Sequence, residues 1–240
     1  MKILKEKYNY QPINRDSIEG KRLYACPDGA WVPSVTTILS ATQSEEKVAS
    51  LQKWRDHVGK DKAQAITTEA ANRGTRMHKY LEDYAINGQL TPHGTNPFSR
   101  QSYLMAETIV NYGMINVSEV WGSEIGLYYP GLYAGTADAI GLHNNEGAIF
   151  DYKQSNKPKE REYISDYFLQ LVAYSLAHNK IYNTNIRKGV ILMCVKPPEI
   201  SPLVWGIPQY QEFILEGVEY DKYADLWWDK VTQYYEKIHK

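Results

Sequence analysis

The stretch from Tyr133 to Lys159, YAGTADAIGLHNNEGAIFDYKQSNKPK, constrains the fold more than any other part of the chain. Tyr133 to Leu142 and Gly147 to Lys153 are runs of β-branched, aromatic and small apolar residues, and the polar cluster His143-Asn144-Asn145-Glu146-Gly147 between them is a turn signal. Two strands and a tight turn are expected. Asn tolerates positive φ, so Asn144-Asn145 can be a two-residue loop, in which case antiparallel partners have numbers summing to 289, as 144 and 145 do. Asp138 then faces Asp151, with Cβ atoms about 4.5 to 5.5 Å apart. Lys153, two residues on, lies on the same face. A loop one residue longer, with Gly147 as a bulge, leaves the carboxylates near or diagonal neighbours.

Two carboxylates held together in a half-buried sheet repel, which raises one pKa or recruits a counter-ion. Oxygen donors suit Mg²⁺ or Mn²⁺, which bind through one or two protein carboxylates and fill their other positions with water and substrate phosphate. A nearby Lys can orient a water or offset developing negative charge. A structural Asp–Lys pair on an exposed face is the ordinary reading of an isolated D-x-K. The combination of G-T-A-D, a turn, and three apolar residues leading into D-Y-K favours the site.

At 240 residues the chain is ample for one core with elaborations. No apolar run approaches membrane-spanning length, and Met1 to Tyr10 is polar and unlike a signal peptide, so no membrane association is expected. Cys26 and Cys194 are the only cysteines, which excludes a disulfide framework and a four-cysteine zinc or iron–sulfur site from one chain. A net charge of −1 argues against a globally basic nucleic-acid binder and leaves local patches to do any phosphate binding. Tyr outnumbers Phe by 20 to 4, and Tyr suits positions where a ring packs while its hydroxyl stays wet, whether at ordinary half-buried surface or against bases.

Along the chain, Arg22 to Val32 reads as a hairpin turning at Asp28-Gly29. Pro33-Ser34 opens a short helix, Val35 to Leu39, capped by Ser34. Apolar residues at helical spacing (Val48, Leu51, Trp54, Val58, then Ala63, Ile66, Ala70) predict two helices of an N-terminal arm, Glu45 to Val58 and Lys60 to Asn72. Gly74-Thr75 reads as a break and cap before a further helix ending near Asn87-Gly88, on which His78 and Glu82 share a face. Arg73, Arg76 and Lys79 make Asn72 to Leu81 cationic without an acid. A lone helical His is usually structural, but a carboxylate pair in want of a third ligand makes His78 a candidate.

Phe98 to Gly113 reads as a helix, Val117 to Tyr129 as a strand carrying Glu124, and Pro130-Gly131 as the turn into the Asp138 strand. Beyond Lys153, the loop holding Lys157, Lys159 and Arg161 is placed to meet a phosphodiester backbone. A helix from Glu162 to His178 presents Gln170 and Tyr174 one turn apart. Gly189 to Val195 is the most apolar strand and is expected inside the sheet. Val204 to Ile207 and Glu212 to Leu215 read as shorter strands. Tyr220 to Ile238 reads as an amphipathic helix whose stripe, Tyr223, Trp227, Val231 and Tyr234, belongs to the core.

The order helix, three strands, helix, strand, with Asp on the second strand and D-x-K on the third, resembles the PD-(D/E)xK nuclease core. More narrowly, the chain resembles the RecB-like branch and, within it, the mitochondrial genome maintenance exonucleases and their phage-encoded relatives. The matching pieces are Pro33 to Leu39, Arg73-Gly74-Thr75 with His78 and Glu82, Gly135-Thr136 with Asp138, Asp151-Tyr152-Lys153, and Gln170 with Tyr174. The resemblance implies an α/β fold: a restriction-endonuclease-like core, with a mixed central β-sheet flanked by helices and an N-terminal helical arm. It implies one nuclease domain, with the arm in 1–72, the catalytic core in 73–200 and C-terminal strands and helix in 201–240. It further implies that His78, Asp138, Asp151 and the Tyr152 carbonyl hold Mg²⁺ or Mn²⁺, and that Lys153 serves the attacking water or the transition state. Gln170 and Tyr174 would support the site or touch the strand.

The cationic residues Arg73, Arg76, Lys157 and Lys159 are the expected DNA contacts, with Glu82 and Glu124 auxiliary. The absence of four cysteines excludes the iron–sulfur subgroup of this branch, Asp stands where Glu is common in D/E-x-K, and an Arg-rich transit peptide is lacking. The expectation is therefore a monomeric metal-dependent exonuclease for single-stranded DNA ends, in the cytoplasm of a bacterial or phage-infected cell, serving replication, recombination or repair. The alternatives are a structure-specific flap or recombination endonuclease and a catalytically inactive nuclease-fold DNA-binding module.

Overall fold

The computed structural model describes residues 4–18 and 21–238. The reading of Met1 to Tyr10 and the outer segments 1–72 and 201–240 fall in part on residues 1–3, 19–20 and 239–240, outside the described residues. Strands β1 (Asn14–Ile18), β2 (Lys21–Ala25) and β3 (Trp31–Pro33) form a small antiparallel sheet. The β2–β3 turn lies where Asp28-Gly29 predicts it: Asp28 Oδ1 accepts the Ala30 N–H at 3.0 Å and Gly29 adopts φ +84°, a conformation that favours glycine. β1, sequence NRDSI, lacks an apolar alternation and is an addition to the expected hairpin.

Helix α1 (Val35–Ala41) starts at the expected cap, with the Ser34 hydroxyl accepting the Thr37 N–H at 2.9 Å. α2 (Glu45–Val58) has the expected bounds, yet it buries no residue, and Val48 and Leu51 stand exposed. Its stripe is therefore not a core face. α3 (Lys60–Asn87) corrects the expected break: it is one 28-residue helix running through Gly74-Thr75. Gly74 lies within the helix with room for a Cβ, which would meet the Gln154 side chain at an ordinary 3.5 Å, and the Thr75 hydroxyl donates back to the Ala71 carbonyl instead of capping. The helix stops at Gly88, in the left-handed region at φ +74°.

Next come α4 (Pro97–Tyr112), β4 (Val117–Tyr129), β5 (Tyr133–His143), β6 (Glu146–Ser155), α5 (Ser165–Tyr182) and β7 (Gly189–Val195). The short β8 (Glu199–Ser201) and β9 (Val204–Trp205) pair with each other, and β10 (Gln209–Leu215) and α6 (Gly217–Ile238) close the chain. The main sheet has the order β10-β7-β6-β5-β4, antiparallel except for the parallel β6–β7 pair bridged by α5. It is a mixed sheet with helices on both faces, as expected for the α/β class.

The two faces are legible along β7, all of whose residues are buried. Val190, Leu192 and Cys194 pack with Met77, Leu81, Met105 and Ile109 of α3 and α4, whereas Ile191 and Met193 pack with Phe168, Leu171, Val172 and Trp227 of α5 and α6. Burying both faces is what a continuous apolar run such as GVILMCV requires. Trp227 and Val231 of the expected α6 stripe are in this core, with Tyr223 and Tyr234 packed against it. Among the described residues no helix is long and apolar enough to cross a membrane.

The central hairpin has the expected register. Ala139 pairs with Phe150 and His143 with Glu146, each pair summing to 289, and Asn144 and Asn145 take φ +50° and +66°.

Candidate active site

The paired ladder between β5 and β6 runs from His143/Glu146 only as far as Ala139/Phe150. The same register would next set Asp138 across from Asp151 and hydrogen-bond Tyr152 to Ala137. Instead the Asp138 carboxylate takes that bond itself, Oδ2 accepting the Tyr152 N–H at 2.6 Å. β6 remains paired with β7 through Ser155, so the hairpin opens at one end while the sheet continues on the other side. Acidic side chains line that opening.

Asp151 is buried at 4% exposure, and its Oδ1 accepts from Lys153 Nζ at 2.6 Å. Burial pushes the Asp151 carboxyl above the usual carboxylate range, and the attraction of Lys153 only partly offsets this. For Lys153, burial works to lower the pKa, but the Asp151 and Asp138 carboxylates outweigh it and leave the ammonium above its usual value. Asp151 Oδ2 is buried with no hydrogen-bond partner, which is costly for a carboxylate oxygen. Gln170 Oε1 lies 3.5 Å from Lys153 Nζ, and the Tyr167 ring centroid lies 5.0 Å from the same ammonium. Gln170 thus positions the lysine from α5.

His78 approaches from α3. Its Nε2–H donates to the Tyr152 carbonyl at 2.7 Å, which leaves Nδ1 facing Asp138 Oδ1 at 3.6 Å and Glu124 Oε1 at 3.9 Å. The imidazole and the Tyr152 carbonyl, expected side by side as ligands, are here bonded to each other. Glu124, expected as auxiliary, stands closer to the centre than that role implies. The pairs Ser123/Ala139 and Ile125/Ala137 flank it, which sets it across β4–β5 from Asp138. Its φ of +53° is uncommon for a residue with a side chain. Burial, with help from Asp138, pushes its carboxyl up to about 7. His78, Glu124 and Asp138 offer ligand atoms that all lie within 4.8 Å of one another.

The donor set fits a hard divalent cation: an imidazole nitrogen with an open lone pair, the Asp138 and Glu124 carboxylates beside it, and an orphaned buried oxygen on Asp151. A cleft of about 720 Å³ is lined by His78, Glu124, Tyr152, Lys153 and Gln170 together with Gln154 and Tyr167, and Asp138 and Asp151 lie behind these lining residues.

Other expected site residues have different placements. Arg73 is 1% exposed, its guanidinium donating to Glu69 (2.9 Å), to Gln154 Oε1 (2.9 and 2.6 Å) and to Asn156, so it ties α3 to the end of β6 and does not face solvent. Tyr174 is buried and packs on Gly135, where a Cβ would come within 2.8 Å of the ring; it backs β5 and is out of reach of a strand of DNA. Arg76 is half-buried and donates to the Ser102 hydroxyl at 3.2 Å. Lys79 pairs with Glu82 and Asp83, so Glu82 neutralises a cation at the cleft edge. Lys157 is exposed and Lys159 half-buried, both on a neighbouring cleft. Tyr167 and Trp54 were not among the expected site residues. Tyr167 had a signal in the sequence, lying three residues before Gln170 on one helix face; Trp54 reads there as one member of the apolar stripe with Val48, Leu51 and Val58.

No family model matches the chain. It is similar to mitochondrial genome maintenance exonuclease 1 from Homo sapiens, at 26% identity over 216 residues, covering 86% of this chain and 59% of that protein. The corresponding proteins of Mus musculus and Xenopus tropicalis are 26% and 28% identical, over 86% and 69% of this chain. The chain spans about half to three fifths of the length of these curated relatives. The solved structure of SSO0001 superposes with a TM-score of 0.30 at 16% identity, over 67% of this chain and 71% of that one, too loosely to define a shared fold.

Proposed function

We propose that the chain is a divalent-cation-dependent DNA exonuclease of the PD-(D/E)xK, RecB-like type, with a restriction-endonuclease-like core, digesting from single-stranded ends with Mg²⁺ or Mn²⁺. The observation that carries the reading is the approach of His78 Nδ1, on a helix remote in sequence, to within 3.6 Å of Asp138 beside the Asp151–Lys153 pair. The similarity to proteins named as exonucleases supports the same chemistry.

A cation held by His78, Asp138, Asp151 and the Tyr152 carbonyl, with Glu124 at hand, would neutralise charge on the phosphoryl group and acidify a water. The chain's own groups supply the rest. Lys153, held charged by Asp151 and steadied by Gln170, offers its ammonium to the developing negative charge or to the attacking water. The Tyr152 N–H holds the Asp138 carboxylate in place. Lys157 and Lys159 extend a cationic edge for the phosphates that follow.

Linear and circular single strands labelled at either end, incubated with Mg²⁺ or Mn²⁺, test this reading. Linear strands should be digested, circles should survive, and Asp151→Ala or Lys153→Ala should slow digestion by at least about a hundredfold. Cleavage of circles would replace the exonuclease by an endonuclease. Undiminished digestion by both variants would refute the site.

A further inference from the structure

Arg73 is the most deeply buried of the arginine, lysine and acidic side chains among the described residues, and the proposed chemistry does not use it. Taking a guanidinium out of water is costly unless its donors are matched. Here Nε and Nη2 both donate to Gln154 Oε1, Nη2 donates also to Asn156 Oδ1, and Nη1 donates to Glu69 Oε1. Gln154 is held at its other end as well, its Nε2–H donating to the Ala70 carbonyl at 3.2 Å. An apolar side chain would fill the space without the desolvation cost, but only a planar fork of donors fixes a direction.

The place of Arg73 on α3 gives that direction a use. Arg73 and His78 are separated by about 7.5 Å along the helix axis, at 1.5 Å per residue. Their partners on β6, Gln154 and the Tyr152 carbonyl, are separated by about 6.6 Å, at 3.3 Å per residue. Helix and strand are thus pinned together at two points of nearly matching spacing, and one of the pins is the imidazole itself. Met77, between them on α3, belongs to the same apolar cluster as Phe150 and Tyr152. Apolar packing is non-directional and leaves a helix free to slide or turn slightly, which the fork prevents.

Resting on the reading of the adjoining site as a cation centre, we infer that Arg73 is a positioning residue that sets the reach of His78 to the cation, and with it the preference of the centre for Mn²⁺ over Mg²⁺. Arg73 touches neither cation nor substrate. Its fork holds the α3 turn against the end of β6, which keeps His78 Nδ1 beside Asp138, at 3.6 Å from Oδ1. Without the fork α3 keeps its apolar contacts and the imidazole loses its fixed distance. The centre then binds through carboxylates alone, and those do not favour the later first-row metal as imidazole does.

The test measures Mn²⁺ affinity of the full chain from the electron paramagnetic resonance signal of the free ion, and Mg²⁺ affinity by competition. Arg73→Met, which keeps the length and loses the fork, should weaken Mn²⁺ binding about ten- to hundredfold, the range for groups that orient metal ligands, and leave Mg²⁺ binding largely unchanged. In a His78→Ala background the same substitution should cause no further loss, since two residues acting through one ligand are not additive. An arginine that only stabilised the fold would lower the melting temperature and leave the ratio of the two affinities where it was. Asn156→Ala removes one acceptor at an exposed position, should shift the ratio in the same direction by less, and decides the matter if Arg73→Met fails to fold. An unchanged ratio, or an equal loss in the His78→Ala background, would overturn the positioning role. Asp138→Asn separates that outcome from failure of the centre itself. Mn²⁺ binding that Asp138→Asn abolishes and Arg73→Met leaves intact discards the positioning and keeps the centre, whereas binding that neither Asp138→Asn nor His78→Ala weakens discards both.

Discussion

Three acids lie in one row across three strands, Glu124 on β4, Asp138 on β5 and Asp151 on β6, and only Asp151 has a lysine bonded to it. Their mutual repulsion sets how the protein responds to pH without added metal. Glu124, pushed up to about 7 by burial and by Asp138, holds its proton in the folded chain at pH values where the unfolded chain has lost it. Where the folded state binds more protons than the unfolded state, stability falls as pH rises. The contribution is therefore intact below the ordinary Glu pKa of about 4.3 and is lost as pH climbs to about 7. In EDTA, Glu124→Gln should match the unmodified protein near pH 4 and become the more stable of the two by on the order of 1 kcal/mol at pH 8. The figure is discounted because the side chain is 40% exposed. Thermal melts at the two pH values measure it, and a Glu124→Gln protein less stable at pH 8 would show that the carboxylate is paired by something other than its acidic neighbours.

Among elements, the β5–β6 hairpin was the most legible in the sequence, because its register depends on two adjacent residues. Asn144 and Asn145 both occupy positive φ, and every partner along the paired ladder follows from that turn. Asn145→Val should therefore destabilise the protein by roughly 1–2 kcal/mol, the cost of a β-branched residue in the left-handed region, with a lower urea midpoint and an unchanged slope. An unchanged midpoint would mean that the turn does not set the register. Glu124 was not legible by the same rule, because Pro130-Gly131 read as a two-residue loop sets Ser123 across from Asp138, whereas the loop is one residue longer, Tyr129 pairing with Tyr133, and sets Glu124 there.

Other elements were not legible, for physical reasons. Gly74 reads as a helix break because glycine is a poor helix former, yet one glycine costs a helix only about 1 kcal/mol, and the packing of Met77, Leu81 and Ala85 further along α3 outweighs it. Val48, Leu51 and Trp54 have helical spacing, but periodicity does not say whether anything covers the stripe. Arg73 belongs to a cationic run, and its burial depends on Gln154 and Asn156 reaching it from β6.

At the scale of the molecule, the two hydrophobic layers fix β6 and β7 rigidly, and the site lies where β5 leaves β6. A site of this kind is pre-formed by the sheet but strained by its own charge, so a cation should stabilise the whole fold by binding it alone. Saturation at a hundred times the dissociation constant adds about 2.7 kcal/mol. For a chain of this size that is a rise in melting temperature of roughly 5–11 °C, at about 2–4 °C per kcal/mol. Imidazole favours later first-row metals, so Mn²⁺ should raise the melting temperature more than an equal concentration of Mg²⁺. His78→Ala should remove most of that difference while leaving the smaller Mg²⁺ effect, and Asp138→Asn, which takes away the carboxylate facing both His78 and Glu124, should abolish both. Equal shifts for the two metals would remove His78 from the ligand set, and no shift with either would remove the cation from the centre while leaving the fold as it is.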